Sequence, residues 1–274
     1  MFTIFKKRYK NKLIKSLSDL PYFSEEYEKV LRKIQKMERN MYGNQHILCI
    51  DIDLLNNFNH QTITDLFGDK YDKLCENLLI NNFDYSNHDT IYAPRYKVEY
   101  DFRYKQVLTF GYITSKTKDL YVFLEKTKSK NLGLVGGHTD FHFTAYGKKP
   151  GEYLIDNLIK EILEEIKIYD KRNSTYITTK EDLLNKIKIY PKAFVDDNST
   201  EYTLRNVAFI YKIEIQEDEL FENYEFYSNE LDEHSTCFIT FDQLKNNIEY
   251  YEKYKRGCND IMRFLPEIIS RFDV

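Results

Sequence analysis

The chain has no tryptophan, and its 274 residues include only five prolines and nine glycines. So few breakers leave long uninterrupted segments for helices and strands, and no internal repeat or low-complexity tract is present. The cysteines Cys49, Cys75, Cys237 and Cys258 lie far apart and form no CxxC pair. That spacing argues against a zinc site or a disulfide framework and for reduced thiols. No stretch approaches the roughly 18 apolar residues needed to cross a bilayer. The opening Met1-Phe2-Thr3-Ile4-Phe5 meets lysines at once and is too short for a secretory core. A cytoplasmic protein with no membrane partner is therefore expected. A basic excess is also missing. Forty Lys and Arg against 44 Asp and Glu give a net charge of −4, so no global field draws the chain to nucleic acid.

Aromatic side chains are abundant, with 24 Tyr and 19 Phe. Each buries a large area, so the chain can sustain a sizeable core, and disorder is excluded for most of its length. The length suits one large domain or a domain with an appendage. Lys6, Lys7, Arg8, Lys10, Lys12 and Lys15 cluster near the start. Such a run is either a solvated basic arm or a contact for phosphates or an anionic surface.

Residues 1–45 read as an added N-terminal helical extension, and 46–274 as the main domain. Ser24 can cap a helix whose apolar positions Tyr27, Val30, Leu31, Ile34 and Met37 follow the helical period. Strands are expected at Ile47–Ile50, Gln106–Thr114, Leu120–Leu124, Leu132–Gly137, Ile189–Val195, Val207–Ile215 and Glu225–Tyr227. Helices are expected at Tyr71–Leu79, Glu152–Ile168, Asp182–Ile187, Thr240–Tyr254 and Cys258–Ser270. Strands and helices in this order imply an α/β or α+β layered domain with a mixed sheet.

The strongest helix, Glu152–Ile168, places Ile155, Leu158, Ile159, Ile162 and Ile166 on one face. Glu161, Glu164 and Glu165 fall within one arc beside that stripe. Like charges there repel one another, and the C-terminal half of a helix disfavours anions. A cation is the natural remedy, and carboxylate oxygens suit Mg²⁺. The bland alternative is a solvated helix on which Lys160–Glu164 and Glu164–Lys167 pairs satisfy the charges.

Gly151-Glu152, followed at a distance by Lys160-Glu161-Ile162-Leu163-Glu164-Glu165 and Ile168, resembles the Nudix box. In that motif a glycine and a glutamate precede Arg-Glu, an aliphatic residue and Glu-Glu on one helix. The Gly136-Gly137 pair stands before it, as in the family. Ala93-Pro94-Arg95-Tyr96-Lys97, Tyr104-Lys105-Gln106, Val135-Gly136-Gly137-His138, Ala193–Ser199 and Phe238–Leu244 are similar to a bacterial and phage branch of Nudix phosphoesterases. The resemblance spans about residues 46 to 255.

It implies a Nudix-like α/β/α sandwich and a hydrolase that cleaves the pyrophosphate linkage of a nucleoside diphosphate joined to another group. Glu161, Glu164 and Glu165 would hold Mg²⁺ or Mn²⁺, and Glu152 would brace Lys160. Gly136 and Gly137 would let backbone approach phosphate and metal, with Gly137 in the metal-holding set. Arg95, Lys97 and Lys105 would contact phosphate, and Tyr96 or Phe143 would stack on a base or lie in the core. Asp196, Asp197, Glu201 and Glu214 are candidates for an extra carboxylate, and His138 is read as a hydrogen-bonded structural residue. Asp51 and Asp53 are read as a loop cap.

Three departures stand out. Lys160 replaces an arginine, Lys167 replaces the box glycine, and the loop from His138 to Gly151 is longer than the family's. Lys160 and Lys167 keep one alternative open, a catalytically weak nucleotide-binding module, and the basic run at residues 6–15 another, an enzyme acting on RNA 5′ ends.

Overall fold

A computed structural model describes residues 2–22, 24–42, 45–58, 61–78, 92–115, 120–126, 132–140, 148–196, 206–216, 223–229, 234–246 and 264–272. Two helices open the chain, α1 (Phe2–Ser18) and α2 (Glu25–Tyr42). The Ser24 hydroxyl caps α2 by accepting from the Tyr27 N–H at 3.1 Å, and Glu25, Glu26 and Glu28 favour the positive end of the dipole. Ile14 and Leu17 of α1 meet Tyr27, Leu31 and Ile34 of α2 in a small core that also takes in Tyr100 and Phe102. The Tyr27 hydroxyl donates to Asp101 at 3.0 Å and accepts from the Phe102 N–H at 2.8 Å. Arg103 binds both Asp101 (2.6 Å) and Glu28 (2.7 Å). Lys10, from the basic cluster, is used internally, on Glu38 at 2.7 Å and the Tyr100 hydroxyl at 3.2 Å.

Next come β1 (His46–Asp51), α3 (Ile52–Asn57), β2 (Ile63–Asp65), α4 (Asp69–Leu78), β3 (Tyr92–Pro94) and α5 (Arg95–Val98). The central strands are β4 (Tyr104–Ser115), β5 (Tyr121–Lys126), β6 (Leu132–Gly133) and β7 (Val135–His138). After α6 (Pro150–Glu165) follow β8 (Ile166–Asp170), β9 (Thr175–Ile177) and α7 (Lys180–Leu184). The chain continues with β10 (Ile187–Asp196), β11 (Asn206–Ile215), β12 (Tyr224–Ser228), β13 (His234–Ile239), α8 (Phe241–Asn246) and α9 (Leu265–Phe272).

Ten strands form one mixed sheet in the order β13-β5-β4-β11-β10-β2, with β1 and β7 also on β4, β3 on β1 and β6 on β5. β4 and β11 run parallel from Asn206↔Gln106 to Ile215↔Ser115. Alternation of period two sorts the side chains to two faces. Val107, Ile113, Phe194, Phe209, Tyr211 and Ile213 pack with Leu154, Leu158 and Ile162 of α6. Leu108, Phe110, Tyr112, Ala193, Val195, Ala208 and Ile210 pack instead with Leu244 of α8 and Leu265, Ile268 and Ile269 of α9. The expected layered α/β sandwich is thus the fold. Among the described residues no helix is long and apolar enough to cross a membrane.

Three local expectations are corrected, and one strand is added. The helix expected to reach Ile168 ends at Glu165, with Ile166 already extended at φ −125° and ψ 126°. Ile166 and Ile168 fit a helical face, but they are also alternate positions of a strand, and β8 pairs with β12 and β9 in a second, three-stranded sheet. The strand expected at Leu132–Gly137 is two strands, because β6 pairs with β5 and β7 with β4. The strand β13 was not read from the sequence; it pairs with β5 along its whole length. Asp182–Ile187 holds only a short helix that is complete by Leu184, and Ile187 already begins β10. Of the two expected C-terminal helices, Phe241–Asn246 and Leu265–Phe272 are described, and 247–263 lie outside the described residues. The Asp51 side chain caps α3 by accepting from the Asp53 N–H at 2.7 Å, as expected of a loop cap.

Candidate active site at the glycine pair

Helix α6 starts with Pro150, whose fixed φ and missing N–H suit a first turn. Its apolar stripe seats it on β4 and β7, and buried Asn157 pins it there. The Asn157 amide donates to Thr109 Oγ1 (2.8 Å) and to the His138 carbonyl (3.3 Å), while its Oδ1 accepts from the Asp140 N–H (3.3 Å). One and two turns further on, the glutamates meet the glycine pair.

Gly136 sits at φ +131°, and a Cβ on it would lie 2.1 Å from the Thr109 carbonyl oxygen. Only glycine suits that position. Its N–H donates to Glu165 Oε2 at 2.9 Å. At Gly137 a Cβ would come within 2.9 Å of Glu161 Oε2. Two carboxylates one turn apart on α6 therefore reach adjacent residues of β7. The third, Glu164, is exposed on the flank of the helix.

Lys160 supplies the positive charge. Its Nζ lies 3.2 Å from Asp140 Oδ2, 3.3 Å from Glu164 Oε2 and 3.5 Å from Glu161 Oε1. Burial works against the ammonium, but Glu161, Asp140 and Glu164 raise its pKa overall. Burial also dominates at Glu161, lifting its carboxyl to about 7; Lys160 opposes this, and Glu164 and Asp140 add to it. An acid so displaced marks a carboxyl drawn out of water and left incompletely compensated by its one ammonium. Among the described residues, however, no three His, Cys, Asp or Glu side chains are grouped to hold a metal. The expected convergence of Glu161, Glu164 and Glu165 is thus only partial, because Glu164 turns to Lys160.

The brace expected from Glu152 is also corrected. Glu152 is exposed in the first turn of α6, two turns from Lys160, and Asp140 takes the lysine instead. Asp140 was missed by sequence reasoning. It is the acid nearest after the glycine pair, but nothing local links it to a lysine twenty residues on. It is held by Gln45 Nε2 on Oδ1 (3.0 Å), by the Tyr153 hydroxyl on its carbonyl and by Asn157 on its N–H.

Arg95 belongs to the same polar chain. It donates to Gln45 Oε1 (3.2 Å) and pairs with Glu99 (3.2 Å). Gln106 Nε2 donates to the Glu99 carbonyl (3.4 Å), which leaves its Oε1 to accept from His138 Nε2 at 2.5 Å. His138 is therefore the Nε2–H tautomer, with its pKa pressed to about 3 by burial and by Arg95 while Asp140 opposes. It stays neutral, as a structural histidine would.

Tyr96 is half-buried and lies 6.0 Å from the Arg39 guanidinium. Lys97 is exposed. Lys105 is buried and paired with equally buried Asp196, a position that does not fit the phosphate contact expected of it. Asp196 is likewise committed to Lys105, and Glu214 pairs with Lys212 at 3.2 Å. His142, Phe143, Tyr146, Asp197 and Glu201 lie outside the described residues. A cavity of about 390 Å³, lined by Phe58, Ile63, Lys70, Lys73, Leu74 and Arg271 among others, opens at the β2 edge, with β10, β11 and β4 between it and β7.

No family model matches the chain, and no curated protein matches it significantly by sequence. Its fold is similar to that of solved structures. Tm1382, described as a candidate Nudix hydrolase, superposes with a TM-score of 0.52 at 15% identity, over 81% of this chain and 99% of that one. A NUDIX-family hydrolase from Clostridium perfringens gives 0.32 at 15%, over 61% and 98%. A bifunctional NMN adenylyltransferase/ADP ribose pyrophosphatase from Francisella tularensis gives 0.39 at 14%, over 72% and 53%. Of these three, the first alone exceeds 0.5, and at its identity it shows the fold and no more.

Proposed function

We propose that the chain is a divalent-metal-dependent hydrolase of the Nudix type that cleaves the pyrophosphate linkage of a nucleoside diphosphate joined to another group. The observation that carries this is the meeting of Glu161 and Glu165 with adjacent glycines of one strand. In this reading residues 1–45 are an appendage and 46–274 form the hydrolase domain.

The donor set fits a hard cation in its chemistry, being all carboxylate with a glycine backbone beside it. A cradle that a Cβ at Gly137 would fill points the same way. Glu161, Glu164, Glu165 and the Gly137 backbone would hold Mg²⁺ or Mn²⁺. Such an ion, when bound, polarises a phosphoryl oxygen and lowers the pKa of an attacking water.

The remaining work falls to the chain itself. Gly136 N–H orients Glu165, Asn157 keeps α6 against β7, and Lys160 holds Glu161 and Glu164 in place before a cation arrives. Arg95, held by Gln45 and Glu99, would contact a phosphate in this reading. Tyr96 on the same short helix offers a ring for the base.

The test is a panel of nucleotide sugars, dinucleotides, ADP-ribose, nucleoside triphosphates and capped RNA, assayed with Mg²⁺ and with Mn²⁺. Metal-dependent release of a nucleoside monophosphate is expected, abolished by Glu164→Gln and by Glu165→Gln. Wild-type turnover in both variants would reject the assignment.

A second reading, a nucleotide-binding module with weak catalysis, is favoured by the Lys160 ammonium standing between Glu161 and Glu164. Calorimetry showing nucleotide binding without turnover in either metal would support it, and robust product formation would remove it.

A further inference from the structure

The chemistry proposed above leaves Asp140 without a task, yet its carboxylate stands beside the glutamates on a backbone pinned at both its N–H and its carbonyl. We infer that Asp140 is a parking site for the Lys160 ammonium. It keeps the lysine paired, and off Glu161 and Glu164, whenever a divalent cation occupies those carboxylates. This rests on the cation reading of the site.

The geometry supports an exchange of partners. Three carboxylates surround one Nζ within 3.5 Å, those of Asp140, Glu164 and Glu161. An ammonium has three protons to share among them. Once a divalent cation sits on Glu161 and Glu164, an ammonium that close is repelled, and both glutamates are lost to it as acceptors. Of its three partners among the described residues, Asp140 is then what remains.

Asp140 does not depend on the last turn of α6 for its position. Tyr153 and Asn157 fix its backbone, Gln45 holds its carboxylate at Oδ1, and Gln45 is itself held by Arg95. Glu164, by contrast, has a side chain 59% exposed and is free to swing from Lys160 toward a cation. A fixed acceptor and a movable one on the same lysine are what such a hand-over requires. The two ends of the exchange also differ in charge. Three acids share one ammonium in the resting arrangement, which leaves room for further positive charge.

Mn²⁺ binding by the full chain, measured by electron paramagnetic resonance of the free ion without nucleotide, tests this in a double-mutant cycle. Thermal melting of each variant is followed in parallel. Lys160→Gln removes the competing ammonium, and Mn²⁺ is expected to bind at least about tenfold more tightly. Asp140→Asn takes away the parking site, so the lysine stays on the glutamates and Mn²⁺ binds about tenfold more weakly. In the Lys160→Gln background the same change should cost only about twofold, the share of a nearby negative charge. Asp140→Glu, which keeps the charge, should bind near wild-type and serves if the asparagine disturbs the Gln45 and Asn157 contacts.

An equal effect of Asp140→Asn in both backgrounds would overturn the parking role while leaving the cation site standing. Absence of Mn²⁺ binding in all of these proteins, with melting unchanged, would overturn the cation reading and the parking role with it.

Discussion

Replacing each glycine of the pair by alanine should separate folding from site function, because the two added methyl groups meet different things. At position 136 the new Cβ would lie 2.1 Å from the Thr109 carbonyl oxygen and 2.9 Å from the Phe110 Cα. Both belong to β4, paired with β7 in the centre of the sheet, so neither can step aside cheaply. The φ of +131° adds strain of about 1–3 kcal/mol. Overpacking against backbone adds about 1–3 kcal/mol more. A loss of about 2–6 kcal/mol is a large part of the 5–15 kcal/mol typical of a domain, and for a chain of this size it lowers the melting temperature by on the order of 10 °C.

At position 137 the methyl meets the far end of a side chain, Glu161 Oε2 at 2.9 Å. The carboxylate can yield by a rotation, so the stability cost stays below about 1 kcal/mol. Its displacement nevertheless moves a proposed ligand, and misplacement by about 1 Å can cost on the order of a hundredfold in rate. Thermal unfolding and Mn²⁺ calorimetry on both variants decide the matter. Gly136→Ala should melt early, whereas Gly137→Ala should melt near wild type and bind Mn²⁺ poorly. If Gly137→Ala bound Mn²⁺ as wild type does, or if Gly136→Ala melted normally, the reading of this contact would be wrong.

Two further outcomes are expected. Burial lifts the Glu161 carboxyl from 4.5 to about 7. Between those pH values the folded chain therefore holds a proton that the unfolded chain has released. Without metal, stability should then fall as pH rises through that window, by about 3 kcal/mol at most. Glu161→Gln should flatten this fall, read as the urea midpoint against pH from 4.5 to 8; an unchanged slope in the variant would count against it. Lys105→Met or Asp196→Asn breaks a buried ion pair and should destabilise by about 3–5 kcal/mol, with most of the loss recovered when both are made apolar. A Lys105→Met protein of normal stability but raised KM would restore the phosphate contact to that lysine.

Much of the framework was legible in the chain. Leu158, Ile159 and Ile162 recur at helical spacing, so the helix expected along Glu152–Ile168 followed from neighbours alone apart from its last turn, and so did the placing of Glu161 and Glu165 beside its buried stripe. Strands β4 and β11 announced themselves through runs of β-branched and aromatic residues, and the glycine pair marked a close approach of backbone. Periodicity is a property of near neighbours, and a single sequence displays it directly.

What touches what across the fold is a different matter. Ile166 and Ile168 suit a helix face as well as alternate strand positions, and the choice was made by β9 just after them together with β12, more than fifty residues later. Lys105 finds Asp196 across 91 residues, and Lys160 takes Asp140, twenty residues back, in the place expected of Glu152. These pairings depend on which strands hydrogen-bond and on which side chains then lose their water. Partner choice is therefore set by the packed sheet, where an unpaired charge is costly, and not by the order of residues along the chain.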